Sequence, residues 1–173
     1  MPGHFVVCGM GQVGYRVVQL LLRLGESVTV VTVQPRPEWI EAIRAGGATV
    51  HLGDARDRDR LLAAGLLEAR ALLALTSQDL VNIEVALDAR QLRADLPVVI
   101  RVFDPTLAQQ LDAQGLLSSL FIQPWGVQLR HGGHGMVEAP PALQIGCFAF
   151  RECYCDLGTS PMMLSSAQLI CGD

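Results

Sequence analysis

Residues 4–14 read HFVVCGMGQVG, and this stretch decides the fold of the chain. Its first five residues are an apolar run that stops at Gly9, as in a buried parallel strand. Gly11 and Gly14 complete the spacing G-x-G-x-x-G, and a helical pattern of apolar residues starts at Tyr15. A glycine turn that lies directly between a strand and a helix predicts a phosphate-binding loop.

Each glycine of this loop has a separate physical task. Gly9 allows the tight turn out of the strand, Gly11 lets the backbone approach a pyrophosphate, and Gly14 lets the helix pack close to the strand. The first N–H groups of the helix and the positive end of its dipole then face the phosphates. The alternative is a glycine-rich turn that binds no ligand.

The alternation of strand and helix continues as far as Gln123. Apolar, β-branched runs predict strands at 4–8, 27–33, 48–52, 71–75, 97–103 and 118–123. Helical spacing predicts helices at 15–24, 35–45, 57–64, 79–92 and 105–113. With right-handed crossovers, this order predicts an α/β fold with a doubly wound, Rossmann-like parallel sheet of six strands.

The character of the chain changes after Gln123. Residues 124–173 contain a Pro-Pro pair, a glycine cluster and four of the five cysteines, and no strand or helix period persists there. We therefore expect a Rossmann-like nucleotide-binding domain at 1–123 and an irregular C-terminal tail at 124–173. Three interpretations of the tail stay open: a small appendage, a partly disordered extension, or a segment foreign to the domain.

The composition excludes several classes of function. The chain has 173 residues, a net charge of -4, and 13 basic residues that are all arginine. The lack of lysine excludes Schiff-base chemistry, and the acidic balance argues against nucleic acid as a partner. No apolar run approaches the roughly 18 residues of a membrane helix, and no leader peptide is expected before the first strand. We expect a cytoplasmic chain that reaches the inner face of a membrane only through a partner.

The position that usually carries the ribose-binding acid differs in this chain. Rossmann domains have Asp or Glu there, about 20 residues after the glycine loop, whereas this chain has Thr32 followed by Val33. Loss of the carboxylate removes its repulsion toward a 2′-phosphate. Arg36 could then bind such a phosphate and favour NADP(H), or it could be a solvated residue that precedes a helix.

Three polar residues follow the ends of predicted strands, where ligands bind in an open α/β sheet. Asp54 is a candidate to accept a hydrogen bond from adenine, and also to cap the next helix. Thr76 and Ser77 are candidates to line the second ribose or the phosphates. Ser77 and Asp79 are equally candidates to cap the helix that follows.

Arg101 lies inside the fifth predicted strand, which is an unusual place for a charge. A buried guanidinium needs a partner, because an uncompensated charge in the interior is costly. The candidate partners are Asp104, Glu84 and a ligand phosphate.

Residues 4–123 resemble the regulator-of-potassium-conductance (RCK) or TrkA-N domain family. The matching stretches are residues 4–14, GDARD at 53–57, LLAAG at 61–65, ARALLALT at 69–76 with Asp79 and Asn82, and VIRVFD at 99–104. The resemblance implies a regulator that binds a nucleotide without turnover, forms homodimers or rings, and gates a membrane-embedded potassium channel or transporter. It also implies a helix after the sixth strand that crosses to the partner subunit, but residues 124–135 are poor helix formers.

NAD or NADH is the first nucleotide that the resemblance implies, and NADP(H), ATP, ADP and AMP are alternatives. Asp54 would face the adenine, and Thr32 would stand in the place of the ribose-binding acid. No catalytic residue and no metal ligand is expected. The complete set of predicted cofactor-binding residues is Gly9, Met10, Gly11, Gln12, Val13, Gly14, Thr32, Val33, Arg36, Asp54, Ala55, Thr76, Ser77 and Arg101.

The tail carries a group of potential metal ligands: His131, His134, Cys147, Cys153, Cys155 and Cys171. Their spacing does not give the paired knuckles of a zinc site. Disulfides are not expected in a cytoplasmic chain, so we interpret these cysteines as thiols without a site. Cys8, on the first strand, is expected to be an inert core residue.

Three functions are consistent with the sequence, and we order them by how well it supports them. The first is a ligand sensor of potassium transport, which acts by a population shift without chemistry. The second is an NAD(P)-dependent oxidoreductase, which needs a substrate domain and a proton donor beside the nicotinamide. The third is a scaffold that keeps the fold for dimerisation alone.

Overall fold

The structure, a computed structural model, describes residues 3–104, 106–107, 110–111, 118–123 and 126–130. Its strands are β1 Phe5–Cys8, β2 Val28–Thr32, β3 Thr49–Leu52, β4 Ala71–Ala74, β5 Val98–Val102, β6 Ser118–Gln123 and β7 Gly126–Arg130. Its helices are α1 Gln12–Arg23, α2 Pro37–Ala45, α3 Arg58–Ala63 and α4 Asp79–Leu92, with a 3-10 turn at Leu66–Glu68.

The strands form one sheet in the order β3-β2-β1-β4-β5-β6-β7. Strands β1 to β6 pair in parallel, and β7 pairs antiparallel with β6. The chain order reverses between β1 and β4, which creates the crevice where open α/β sheets bind their ligands. The predicted doubly wound, Rossmann-like sheet is therefore confirmed.

Strand β1 is fully buried, and its side chains alternate between the two faces of the sheet. Phe5 and Val7 join an apolar cluster that includes side chains of α1 and α2. Val6 and Cys8 join a second cluster with side chains of α3 and α4. Burial raises the pKa of the Cys8 thiol to about 12, which agrees with its expected role as an inert core residue. Helices thus cover both faces, and the carboxyl edge of the sheet is left open to ligands.

Two regions differ from the sequence-based boundaries. Helix α1 begins at Gln12 rather than Tyr15, since the N–H of Tyr15 already donates to the carbonyl of Gly11. Strand β7 was not predicted, although it pairs with β6 from Ser119 opposite Arg130 to Gln123 opposite Gly126. The short run at 126–130 has too few residues to reveal a strand period, so only its partner identifies it.

Several predictions concern residues outside the described ranges. These include the tail from residue 131 onward, with its histidines and cysteines, and the family's crossing helix. Of the predicted helix at 105–113, the described residues 106–107 and 110–111 are helical. The domain boundary at residue 123 stays a prediction. Within the described residues, every helix is too short or too polar to span a lipid bilayer.

Two glycines are required where the end of β1 meets helix α1 and the loop after β4. A Cβ atom on Gly14 would lie 2.0 Å from the carbonyl oxygen of Gly9. Gly9 itself has a φ of +99°, and a Cβ there would lie 2.9 Å from the backbone nitrogen of Thr76. By contrast, a Cβ on Gly11 would meet no atom within 4 Å. Gly9 and Gly14 are therefore fixed by packing, and Gly11 is not.

The buried side chain of Asn82 joins the ends of β4 and β5. Its Oδ1 accepts hydrogen bonds from the N–H of Thr76 at 2.9 Å and from the Thr76 hydroxyl at 2.7 Å. Its Nδ2 donates to the carbonyl of Thr76 at 3.1 Å and to that of Arg101 at 2.9 Å. This one amide from α4 thus fixes the loop after β4 to the end of β5 at the carboxyl edge.

The first prediction concerns Gly14. Gly14→Ala is expected to lower the free energy of unfolding by about 1–3 kcal/mol, because α1 must move away from β1 to admit the methyl group. Gly11→Ala is the matched control and should change it by less than about 1 kcal/mol, the cost of a poorer N-cap. Urea unfolding measures both variants, and equal losses would contradict the packing argument.

The second prediction concerns Asn82. Asn82→Ala leaves the Thr76 N–H and the Arg101 carbonyl without their partner, at a cost of about 1–3 kcal/mol for each buried group. Gln91→Ala, on an exposed position of the same helix, should cost less than about 0.5 kcal/mol. Chemical denaturation of both variants checks this, and a loss for Asn82→Ala as small as that for Gln91→Ala would refute it.

Candidate functional site

A cavity of about 520 Å³ lies at the carboxyl ends of the central strands. Every predicted cofactor-binding residue except Gly14 and Arg36 lines it. Gly14 serves the site indirectly, through the close packing of α1. The lining residues outside that predicted set are Val31, Gln34, Gly53, Arg56, Leu75, Gln78 and Val81. Most of them flank predicted positions, so proximity along the chain is the signal that could have identified them.

The N-terminus of α1 opens into this cavity. Gly11 is the N-cap, with extended backbone, and no side chain caps the helix. The first turn contains no acidic residue, and its backbone N–H groups have no acceptor inside the helix. Gly11, Gln12 and Val13 line the cavity. Together with the helix dipole, these N–H groups suit a phosphate or another anion.

The end of β2 offers an uncharged surface. Thr32 is buried with only 7% of its surface exposed, and its carbonyl accepts a hydrogen bond from the N–H of Gly53. Val33, which follows it, is 61% exposed and lines the cavity. The position of Thr32, where a typical dinucleotide site has a carboxylate, is therefore uncharged, as the sequence indicated.

Arg36 does not line the cavity. Its guanidinium carbon lies 4.6 Å from the ring centroid of Trp39, and that ring stacks on Tyr15 with centroids 4.8 Å apart. The cation–π contact positions Arg36 at the start of α2. Such a contact is worth about 0.5–1 kcal/mol at an exposed site. The prediction that Arg36 binds the cofactor is therefore not supported by the position of its side chain.

Asp54 lines the cavity, but its carboxylate is occupied by Arg56. Arg56 donates to it from the backbone N–H at 3.0 Å, from Nε at 3.1 Å to each oxygen, and from a terminal nitrogen at 2.6 Å. These hydrogen bonds lower the pKa of Asp54 and keep the carboxylate ionised. The alternative role for Asp54 as a helix cap is wrong, since Asp57 caps α3 by accepting from the N–H of Asp59.

The loop after β4 brings Thr76 and Ser77 to the cavity. The Thr76 hydroxyl is held by Asn82 and by the backbone of Gln78. The proposed caps of α4 are not observed: Gln78 is the N-cap residue and makes no capping bond through its side chain. Asp79 instead accepts hydrogen bonds through one carboxylate oxygen from the N–H groups of two residues that follow β5, Phe103 and Asp104.

Arg101 reaches the cavity from β5 with an incomplete set of partners. Its Nε is buried and makes no hydrogen bond within the described part of the chain, and the guanidinium lies 4.0 Å from the ring centroid of Phe103. Neither Asp104 nor Glu84 forms an ion pair with it there. Burial lowers the pKa of Arg101, and the charge of Asp79 partly offsets this. A ligand phosphate is the remaining candidate partner.

The described residues contain no cluster of three His, Cys, Asp or Glu side chains that could hold a metal ion. The chemistry available in the cavity is that of anion and nucleotide binding: helix N–H groups, one incompletely paired guanidinium, hydroxyl groups and an apolar wall. These groups fit the phosphates, sugar and base of a nucleotide.

The chain is similar in sequence to a potassium channel and to a potassium uptake protein. The voltage-gated potassium channel Kch of Escherichia coli (strain K12) is 33% identical over 103 residues, which cover 58% of this chain and 25% of that protein. The Trk system potassium uptake protein TrkA of Streptomyces coelicolor is 34% identical over 113 residues, which cover 65% of this chain and 50% of that protein. The chain thus spans half or less of the length of these relatives.

A solved structure shares the fold. Shewanella denitrificans Kef CTD, in its AMP-bound form, matches with a TM-score of 0.60 at 24% identity, over 69% of this chain and 71% of that chain. The TrkA-N domain family matches residues 5–121, which is more than half of the sequence. The match spans the glycine loop, the Asp54 loop and the strand that carries Arg101, and the chain therefore belongs to the TrkA-N domain family.

Proposed function

We propose that this chain is a nucleotide-binding regulatory domain that senses NAD(H) or an adenine mononucleotide without consuming it. The observation that carries the proposal is the convergence of the α1 N-terminus and Arg101 on one cavity. Each supplies donors for an anion, and within the described residues Arg101 forms no salt bridge, although the charge of Asp79 acts on it. A phosphate group in this cavity would be favoured by both positive charges.

The rest of the cavity accommodates the remainder of a nucleotide. Thr32, Thr76 and Ser77 offer polar groups for a ribose, and Val33 offers apolar surface for a base. Asp54 is the sequence-based candidate acceptor for the exocyclic amino group of adenine, but it would have to exchange one of its four hydrogen bonds from Arg56 to serve this role. The Kef CTD structure, which shares the fold and is an AMP-bound form, supports this assignment.

The regulatory role rests on the family and on the relatives, which are a potassium channel and a potassium uptake protein. A domain that binds its nucleotide more tightly in one conformation than in another shifts the assembly toward that conformation. The proposed partner is a membrane-embedded potassium channel or transporter subunit, reached from the cytoplasmic side. The domain would act there as a homodimer or as part of a ring.

The third prediction tests nucleotide binding. A ligand at 100 times its Kd should stabilise the fold by about 2.7 kcal/mol, so thermal unfolding with NAD+, NADH, ADP, AMP and ATP should show a clear shift for at least one of them. Gly11→Ala should fold normally and lose this shift, because its methyl group enters the open space at the phosphate site. Isothermal titration calorimetry gives the corresponding Kd.

The outcomes separate the three candidate functions. No shift with any nucleotide would overturn both the sensor and the oxidoreductase and leave the scaffold. A shift with NADH, followed by steady loss of its absorbance when carbonyl substrates are added, would favour the oxidoreductase. Binding without consumption is the expected result.

The fourth prediction concerns the 2′-phosphate. Because Arg36 lies over Trp39 and outside the cavity, we expect NAD+ to bind more tightly than NADP+. Because Arg36 does not line the cavity, Arg36→Ala should change the affinity for NAD+ by less than about twofold, which is about 0.4 kcal/mol. Calorimetric titration of both dinucleotides measures this. Tighter binding of NADP+, lost in Arg36→Ala, would show that Arg36 leaves Trp39 to bind the phosphate.

A further inference from the structure

The two arginines that line the cavity differ in how their charges are compensated. Arg101 has a buried Nε without a hydrogen-bond partner in the described residues. Arg56 is bound along one edge to both oxygens of Asp54, and a terminal nitrogen lies 3.9 Å from Glu84. Because their charges are compensated differently, we expect the two arginines to contact different parts of a ligand.

The charges around Arg56 do not favour a phosphate. Two carboxylates, those of Asp54 and Glu84, lie against this one guanidinium group, at 2.6 Å and 3.9 Å from its terminal nitrogens. A phosphate added here would meet net negative charge. At the other end of the cavity, Arg101 forms no salt bridge within the described residues, although the charge of Asp79 acts on it.

The geometry of the Arg56 side chain suits a flat partner. A fork of hydrogen bonds to a carboxylate fixes the plane of a guanidinium. The group remains half exposed, at 48% of its side-chain surface, and lines the cavity. Apolar lining from Val33 and Ala55 belongs to the same cavity. A fixed guanidinium plane with apolar neighbours is a surface on which an aromatic base stacks.

We propose that Arg56 is the platform for the base of the bound nucleotide, with Asp54 and Glu84 holding its plane in place. This inference rests on the proposed nucleotide-binding function and adds a residue that determines specificity. It divides the cavity into a base end at Arg56 and a phosphate end at Arg101 and the α1 N-terminus. Purine bases, which have the larger stacking surface, should bind better than pyrimidines.

The fifth prediction compares ligands with and without a base. Arg56→Ala should weaken ADP binding at least about fivefold, the lower limit for losing a stacked base. It should leave ribose 5-phosphate binding within about twofold, since that ligand has a phosphate and no base. Isothermal titration calorimetry of both ligands measures the two effects in each variant.

Two further variants make the test specific. Arg58→Ala is the matched control: Arg58 is 50% exposed, pairs with Asp88 at 2.6 Å and does not line the cavity, so both ligands should bind as in the wild type. Arg56→Lys keeps the positive charge beside Asp54 but replaces the planar guanidinium with an ammonium group. It should therefore weaken ADP binding as much as Arg56→Ala does.

Each result has one interpretation. Normal ADP binding by Arg56→Lys would show that Arg56 acts through its charge on Asp54. This result would contradict the proposal that a base stacks on the guanidinium. Equal loss of ADP and ribose 5-phosphate in Arg56→Ala would show a phosphate contact, which also overturns it. Failure of the wild type to bind ADP, AMP and NAD+ would instead reject the proposed nucleotide-binding function itself.

Discussion

The contact between helix α1 and strand β1 is the constraint on which the site depends. The 2.0 Å that would separate a Cβ of residue 14 from the Gly9 carbonyl oxygen means that only hydrogen fits there. This contact directs the N-terminus of α1 at the carboxyl edge of the sheet, beside the loops after β2, β3 and β4. A slightly more distant helix would still cover the sheet, but its first N–H groups would no longer converge with Arg101 on one cavity.

Most of the fold could be predicted because the central strands are buried on both faces. A continuous apolar run such as residues 5–8 is typical of a central strand in a parallel sheet that is covered on both faces. The exceptions have local causes. Gly14 suggests a break, yet it lies in the first turn of α1, where packing outweighs helix propensity. Strand β7 has only five residues and depends on β6, and a short edge strand carries almost no signal of its own.

The sequence could predict which loops meet at the site, but it could not predict which charged side chains pair there. The carboxyl ends of parallel strands share an edge, so Asp54, Thr76 and Arg101 could be assigned to one site from their sequence positions alone. The interaction of Arg36 with Trp39 and that of Arg56 with Glu84 depend on side-chain directions that the spacing of residues does not encode. Asp79 illustrates the same limit, because it holds the backbone after β5 instead of capping its own helix.

The hydrogen bonds of Asn82 have a thermodynamic consequence for any ligand of this domain. They fix the loop after β4 to the end of β5 in the protein alone, so this part of the cavity has its binding geometry before a ligand arrives. A preorganised site loses little conformational entropy on binding, and more of the contact energy appears as affinity. The same rigidity has a second consequence. Because the loop after β4 is already ordered, nucleotide binding cannot act through a disorder-to-order change of that loop. Any ordering that accompanies binding must then occur in another part of the cavity.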